Sequence, residues 1–152
     1  MSSPTANEPV NESRYRVLYR DVDRMGVLYY ARYLELFELG RTEWARSQGW
    51  RYRDMEDKLG LMLPVTRALC RYRAPLKFDD EARVLTRVLA WSRATICYGF
   101  EVWSAEEARL CAEGEVELAC LTREDFRPAP LPEQFVSILR QAVPGREGRR
   151  RG

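Results

Sequence analysis

The sequence predicts an α+β fold in which an antiparallel five-stranded sheet wraps around one long helix. Three observations carry this: a single long helical pattern lies near the start, four strand patterns follow it, and the turns joining those strands are too short for parallel crossovers. The 152 residues suit one domain, and a domain of that size buries roughly 70% of its unfolded surface, enough for a substantial core.

Residues 1–12 are polar, hold two prolines and read as disordered, so the domain is placed at 13–143. The first strand alternates, with Tyr15, Val17 and Tyr19 on one face and Arg14, Arg16 and Arg20 on the other; Leu18 is the exception on the polar face. Two carboxylates, Asp21 and Asp23, and a glycine turn at Gly26 follow, and then a helix opens. It runs over about residues 30–47, with Tyr30, Tyr33, Leu34, Phe37, Trp44 and Ala45 at helical spacing and Leu36 and Leu39 widening the stripe, as in a helix deeply covered by a sheet. Gly40 inside it costs about 1 kcal/mol relative to alanine, which a close helix-to-strand approach explains. Gly49 suits a left-handed terminating position.

A short helical piece over residues 52–59 leads through Gly60 to strand patterns at 62–72, 82–91, 94–103 and 110–122. Alternation is clearest in the third of these, where Ile96, Tyr98, Phe100 and Val102 oppose Thr95, Cys97, Gly99 and Glu101. The connections are short and polar, such as Lys77-Phe78-Asp79-Asp80 and Ser92-Arg93. A proline-rich link at 127–132 precedes a terminal helix over about 133–143, and the glycine- and arginine-rich residues 144–152 read as a disordered basic tail.

Composition excludes much chemistry. With no histidine, the chain cannot build Ser-His-Asp or Cys-His nucleophilic sites, His-ligated metals or an imidazole base. Cys70, Cys97, Cys111 and Cys120 form no Cys-x-x-Cys pair and sit in apolar, strand-like runs, so they read as buried reduced thiols. Together with an N-terminus that lacks a signal-peptide pattern, this places the protein in the cytoplasm. The net charge of +2, from 25 Lys+Arg against 23 Asp+Glu, does not suggest a nucleic-acid binder. No apolar run approaches the roughly 18 residues that span a membrane.

Chemistry concentrates in residues 19–33. An acid beside a helix N-terminus, where unpaired backbone N–H groups and the positive end of the helix dipole collect, suits stabilisation of a developing oxyanion. Acyl transfer is the leading reaction class. The same acids begin like a calcium loop, with Asp21, Asp23 and Gly26 at its first, third and sixth positions, but Met25 and Arg32 occupy the fifth and twelfth. Either acid can instead simply cap the turn or the helix, the reading kept for Asp21.

The runs Arg16-Val17-Leu18-Tyr19-Arg20-Asp21-Val22-Asp23, Gly26-Val27-Leu28-Tyr29-Tyr30-Ala31-Arg32-Tyr33 and Arg41-Thr42-Glu43-Trp44 resemble a hotdog-fold acyl-CoA thioesterase of the 4-hydroxybenzoyl-CoA thioesterase type. Tyr72-Arg73-Ala74-Pro75 with Asp79-Asp80, and Arg127-Pro128 with Leu131-Pro132, also resemble its landmarks; the resemblance covers about residues 14–141. It implies that Asp23 is the catalytic carboxylate and that the Tyr30 backbone N–H holds the thioester carbonyl. Many relatives carry histidine where this chain has Tyr30, so Asp23 would act without imidazole. It further implies a homo-oligomer, often a dimer of dimers.

A departing thiol ionises near pH 8.5 and needs no strong acid, so one carboxylate and one amide donor suffice and no cofactor or metal is required. Asp23 either attacks the carbonyl, giving a mixed anhydride, or deprotonates water, and both routes stay open. Gly26 lets the backbone bend tightly beside the substrate. Tyr29 and Tyr33 are candidate substrate-binding residues, although an aromatic stripe at helical spacing is more often core. Arg71, Arg73, Lys77, Arg123 and Arg127 are cations within the scope of coenzyme A phosphates, each more often a solvated charge. The rival from another class is a non-catalytic acyl-CoA-binding or scaffold protein; a hotdog dehydratase would need the missing histidine.

Overall fold

The computed structural model describes residues 10–143. Its strands are β1 (Asn11–Arg16), β2 (Leu61–Met62), β3 (Val65–Tyr72), β4 (Glu81–Trp91), β5 (Thr95–Ser104), β6 (Arg109–Ala119) and β7 (Leu121–Thr122), with helices α1 (Arg32–Ser47), α2 (Tyr52–Leu59) and α3 (Glu133–Ala142). Five strands form one antiparallel sheet in the order β1-β4-β5-β6-β3, and β2 pairs with β7 in a small separate ladder. Helix α1 packs on the concave face, mainly against β1 and β4. This is the α+β hotdog architecture expected, a five-stranded antiparallel sheet wrapped on one long helix.

The core follows the alternation. Ile96, Tyr98, Phe100 and Val102 of β5 are all fully buried, and they meet Tyr33, Leu36, Phe37, Trp44 and Ala45 of α1. Phe37 stacks on Phe100 with ring centroids 4.5 Å apart, and Trp44 stands edge-on to Tyr98 at 5.6 Å. Aromatic groups of this size cost about 3–5 kcal/mol when truncated to alanine, so these pairs set the seat of the helix. The opposite sheet face carries a ladder of opposed charges, including Arg14–Glu81, Arg67–Glu115 and Arg73–Glu113.

Several boundaries differ from the sequence expectation, each for a local reason. The first strand stops at Arg16 instead of reaching Arg20, because Tyr19–Asp21 turns into one 3₁₀ coil and swings Tyr19 outward to 76% exposure. At its other end β1 opens at Asn11, where Asn11 and Glu12 pair with Thr86 and Leu85. Helix α1 begins at Arg32, two residues late, and Tyr30 and Leu34 lie exposed on its flank instead of in the core. Residues 62–72 and 110–122 each divide, donating the short β2–β7 ladder. The disorder expected for residues 1–9 and 144–152 falls outside the described residues.

Gly40 is where α1 touches the sheet. A Cβ there would lie 2.3 Å from Thr86 Oγ1, 3.1 Å from Val84 Cγ1 and 3.3 Å from Phe100 Cε1. Thr86 is itself fully buried and its hydroxyl has no partner among the described residues, so it has little room to retreat. Gly40→Ala is therefore expected to destabilise the fold by about 1–3 kcal/mol, despite alanine's better helix propensity. Thermal unfolding of the variant tests this, and an unchanged or raised midpoint would show that helix and sheet can part at no cost.

Candidate active site

The segment between β1 and α1 is a pinned hairpin. Asp23 N–H donates to Val27 O at 2.9 Å, Gly26 N–H donates to Asp23 O at 2.9 Å, and Val22 bridges Leu28. Gly26 adopts φ +78°, a left-handed conformation that a residue with a side chain would hold under strain. The returning arm is tied to the loop before β4, where Leu28 N–H donates to Leu76 O at 2.7 Å and Val27 bridges Lys77. Tyr29 N–H donates to Asp21 O at 2.8 Å and delivers the chain to the first turn of α1.

The two acids do different things. Asp21 is only 2% exposed, and its Oδ2 accepts the Tyr15 hydroxyl at 2.7 Å and the Leu18 N–H at 2.8 Å, which closes the 3₁₀ turn. Its other oxygen lies 3.8 Å from Arg32 Nε and 3.9 Å from Arg20 Nε. Asp23 is half-buried and uses only Oδ1, which accepts Met25 N–H at 2.8 Å and, more weakly, Val27 N–H at 3.5 Å. Its Oδ2 has no hydrogen bond among the described residues. The acids thus hold separate turns and do not converge as calcium ligands would.

The start of α1 is uncapped. No side chain accepts from its first N–H groups, Ala31 being the residue at the cap position, and the N–H groups of Tyr30 and Ala31 have no acceptor among the described residues. Such open donors, at the positive end of the dipole, form a place for a carbonyl oxygen or an anion. The Tyr30 carbonyl is anchored on the other side, accepting the Tyr72 hydroxyl at 2.8 Å.

Four tyrosines surround this turn. The rings of Tyr29 and Tyr30 lie 4.7 Å apart and both are exposed, whereas Tyr33 is 3% exposed and meets Tyr72 edge-on at 5.1 Å. The Tyr29 phenol is pushed up first by its hydrogen bond with Tyr30, and the Asp23 charge adds to the shift, which places that carboxylate within electrostatic reach of Tyr29. Burial and then Cys70 push the Tyr72 phenol up to about 12, and burial raises Tyr33 and Cys70. The phenols of Tyr29, Tyr33 and Tyr72 and the Cys70 thiol are accordingly neutral at pH 7, and Cys70 is no nucleophile there. No disulfide joins the four cysteines among the described residues; Cys111 and Cys120 are buried and Cys70 and Cys97 half-buried.

The structure also sorts the arginines. Arg73 pairs with Glu113 at 2.6 Å, Arg123 with Asp57 at 3.5 Å and Arg127 with Asp125 at 3.2 Å, so these charges are already engaged. Lys77, next to the hairpin, has no ion pair among the described residues. Tyr72 was not anticipated as a site residue; its place in an alternating strand gave no sign that its hydroxyl reaches across to the helix start.

A sheet curled on one helix, with an acid-bearing turn at the open end of that helix, defines a hotdog-fold protein. The match is general along the chain: residues 17–139 fit the Thioesterase-like superfamily, and the chain belongs to that superfamily. Among curated relatives, the acyl-CoA thioesterase YbgC of Haemophilus influenzae is 31% identical, covering 78% of this chain and 86% of the relative. The acyl-CoA thioester hydrolase YbgC of Escherichia coli O6:H1 is 28% identical, covering 83% and 92%. Among solved structures, a DHNA-CoA thioesterase from Staphylococcus aureus superposes with a TM-score of 0.80 at 29% identity, covering 87% of each chain. No helix among the described residues is long and apolar enough to cross a membrane.

The Asp21 geometry predicts a structural role that can be separated from chemistry. Asp21→Asn swaps a carboxylate that receives two donors and faces two guanidinium groups for a neutral amide, at a cost of about 1–3 kcal/mol. Urea unfolding of the variant checks this; stability equal to wild type would mean that the turn does not depend on the buried charge.

Proposed function

We propose that this chain is an acyl-CoA thioesterase of the 4-hydroxybenzoyl-CoA thioesterase type, hydrolysing a thioester to a free carboxylic acid and coenzyme A. The observation that carries the reading is the pairing of an uncapped helix start, with the Tyr30 N–H unoccupied, and a neighbouring carboxylate that keeps one oxygen unused. Its relatives' names supply the substrate class, and membership of the superfamily supplies the reaction class, thioester hydrolysis.

In this reading the thioester carbonyl oxygen accepts from the Tyr30 N–H, and negative charge develops on that oxygen at the positive end of α1. Asp23 acts on the opposite side of the carbonyl carbon. As a base it takes a proton from water while the water oxygen bonds to that carbon; as a nucleophile it bonds to the carbon itself and the resulting anhydride is then hydrolysed. In either route the oxyanion re-forms the carbonyl and expels coenzyme A thiolate. Gly26 keeps the hairpin tight enough to aim Asp23, Tyr29 walls the acyl group, and Tyr33 backs that wall through Tyr72. The acyl group itself stays open between aliphatic and aromatic. The reduced cysteines support a cytoplasmic setting.

The proposal includes a homo-oligomer, a dimer of dimers. Among the described residues strand β3 pairs only with β6, and its other edge exposes Val65, Leu69 and Tyr72. Beside it a groove is lined by Leu34, Val65, Ala68 and Val116 together with Glu35, Glu38 and Arg41. An eight-residue exposed edge of this kind is ordinarily paired or covered. Light scattering is expected to give a multiple of the chain mass, and the mass of a single chain would rule the assembly out.

The catalytic assignment is tested by free-thiol release from a panel of aliphatic and aromatic acyl-CoA thioesters. Asp23→Asn is expected to lower kcat at least about a hundredfold, the usual scale for a lost acid–base or nucleophilic group, while circular dichroism and oligomer mass stay as in wild type. Undiminished turnover would remove Asp23 from the chemistry.

A further inference from the structure

The same rim carries an aromatic pair that the thioesterase reading leaves unused. Tyr19 and Phe78 are stacked with ring centroids 3.7 Å apart and an interplanar angle of 10°, yet Tyr19 is 76% exposed. One face of its ring rests on Phe78 and the other is bare. Neither residue belongs to the buried core, so the stack does not serve to fill the interior; it holds one ring flat at the surface.

Its position is tied to the candidate site through the backbone. Tyr19 lies four residues before Asp23, and its carbonyl accepts the Val22 N–H. Phe78 follows Lys77, which bridges Val27 on the returning arm of the Asp23 hairpin. The pair therefore flanks the hairpin from both of its strands. The cations of this rim are Arg20, 73% exposed and 3.9 Å from Asp21, together with Arg24 and Lys77, both exposed and without an ion pair among the described residues. The acids of this rim are Asp21 and Asp23, described above, with Asp79 and Asp80, the last using Oδ2 to accept the Lys77 backbone N–H at 2.7 Å.

We propose that the bare face of Tyr19, held flat by Phe78 on a rim that also carries Arg20, Arg24 and Lys77, is the platform on which the purine of the coenzyme A nucleotide stacks. The inference rests on the acyl-CoA reading above and assigns the nucleotide end of that substrate. A purine offers a flat π-face to an aromatic ring, and the phosphates attached to it match the exposed cations Arg24 and Lys77 of the same rim. Neither an acyl chain nor the pantetheine arm has both features.

The test compares one acyl group on two carriers: benzoyl and hexanoyl thioesters of coenzyme A and of pantetheine, which lacks the nucleotide. Tyr19→Ala is expected to lower the ratio of kcat/KM for the coenzyme A thioester over the pantetheine thioester about tenfold, the order expected from losing one stacked base, and Tyr19→Phe is expected to restore it. An unchanged ratio overturns the platform, as does a Tyr19→Ala variant whose oligomer mass changes, since Tyr19 would then be a contact between copies. Calorimetric titration with adenosine 3′,5′-bisphosphate decides the matter independently of turnover. Binding to wild type that is lost in Tyr19→Ala supports the platform even if no thioester is cleaved, an outcome in which hydrolysis alone fails; no binding to wild type refutes it.

Discussion

The close contact between α1 and the sheet is the constraint on which the rest of this structure depends. Because one helix serves the whole concave face, its depth and axial position are set by two glycines, one on each partner. Gly40 lets the helix approach Thr86 and Val84, and Gly114 on β6 leaves space under Phe37, where a Cβ would come within 2.6 Å of the Phe37 ring and 2.2 Å of the Leu69 carbonyl. The Phe37–Phe100 stack then fixes the helix against sliding. With the helix so seated, its first turn emerges beside the Val22–Leu28 hairpin, and the open N–H groups of Tyr30 and Ala31 are carried to the same rim as Asp23.

The two acids of one short motif are held in very different ways. Asp21 is buried, doubly hydrogen-bonded and flanked by guanidinium groups, conditions that hold a carboxylate in a single pose. Asp23, two residues later, spends one oxygen on its own turn and leaves the other unengaged. A carboxylate tethered by one oxygen is oriented without being saturated, which is what a nucleophile or a base requires. The neighbouring tyrosines add a half-enclosed wall without adding charge at Tyr29, Tyr33 and Tyr72, whose phenols are all pushed up from their ordinary range.

Much of this was legible in the sequence. Periodicity alone separated the buried and exposed faces of β5, and Gly40 signalled the close helix approach before any distance was known. Chain ends and transitions were less legible. Tyr19 continued the alternation of β1 perfectly well, but the Asp21 carboxylate drew back the Leu18 N–H and curled the backbone into a 3₁₀ turn, a tertiary effect that alternation does not encode. Tyr30 and Leu34 fit the helical stripe, yet the stripe is wider than the sheet can cover, so its edge lies toward the free strand β3. The reach of the Tyr72 hydroxyl to Tyr30 depends on the order β6-β3 placing that strand beside the helix start, which only the assembled sheet shows.

The absence of histidine bears on which leaving group such a site can serve. An alkoxide leaves poorly unless an acid protonates it, whereas a thiolate, whose parent thiol ionises near pH 8.5, departs unaided at a modest cost near neutrality. A site with one carboxylate, one amide donor and no histidine has no imidazole to supply that proton. Its chemistry is consequently matched to thioesters and poorly matched to oxygen esters or amides. Under the proposed reading, selectivity for thioesters comes from what the first turn of α1 and its hairpin lack as much as from what they present.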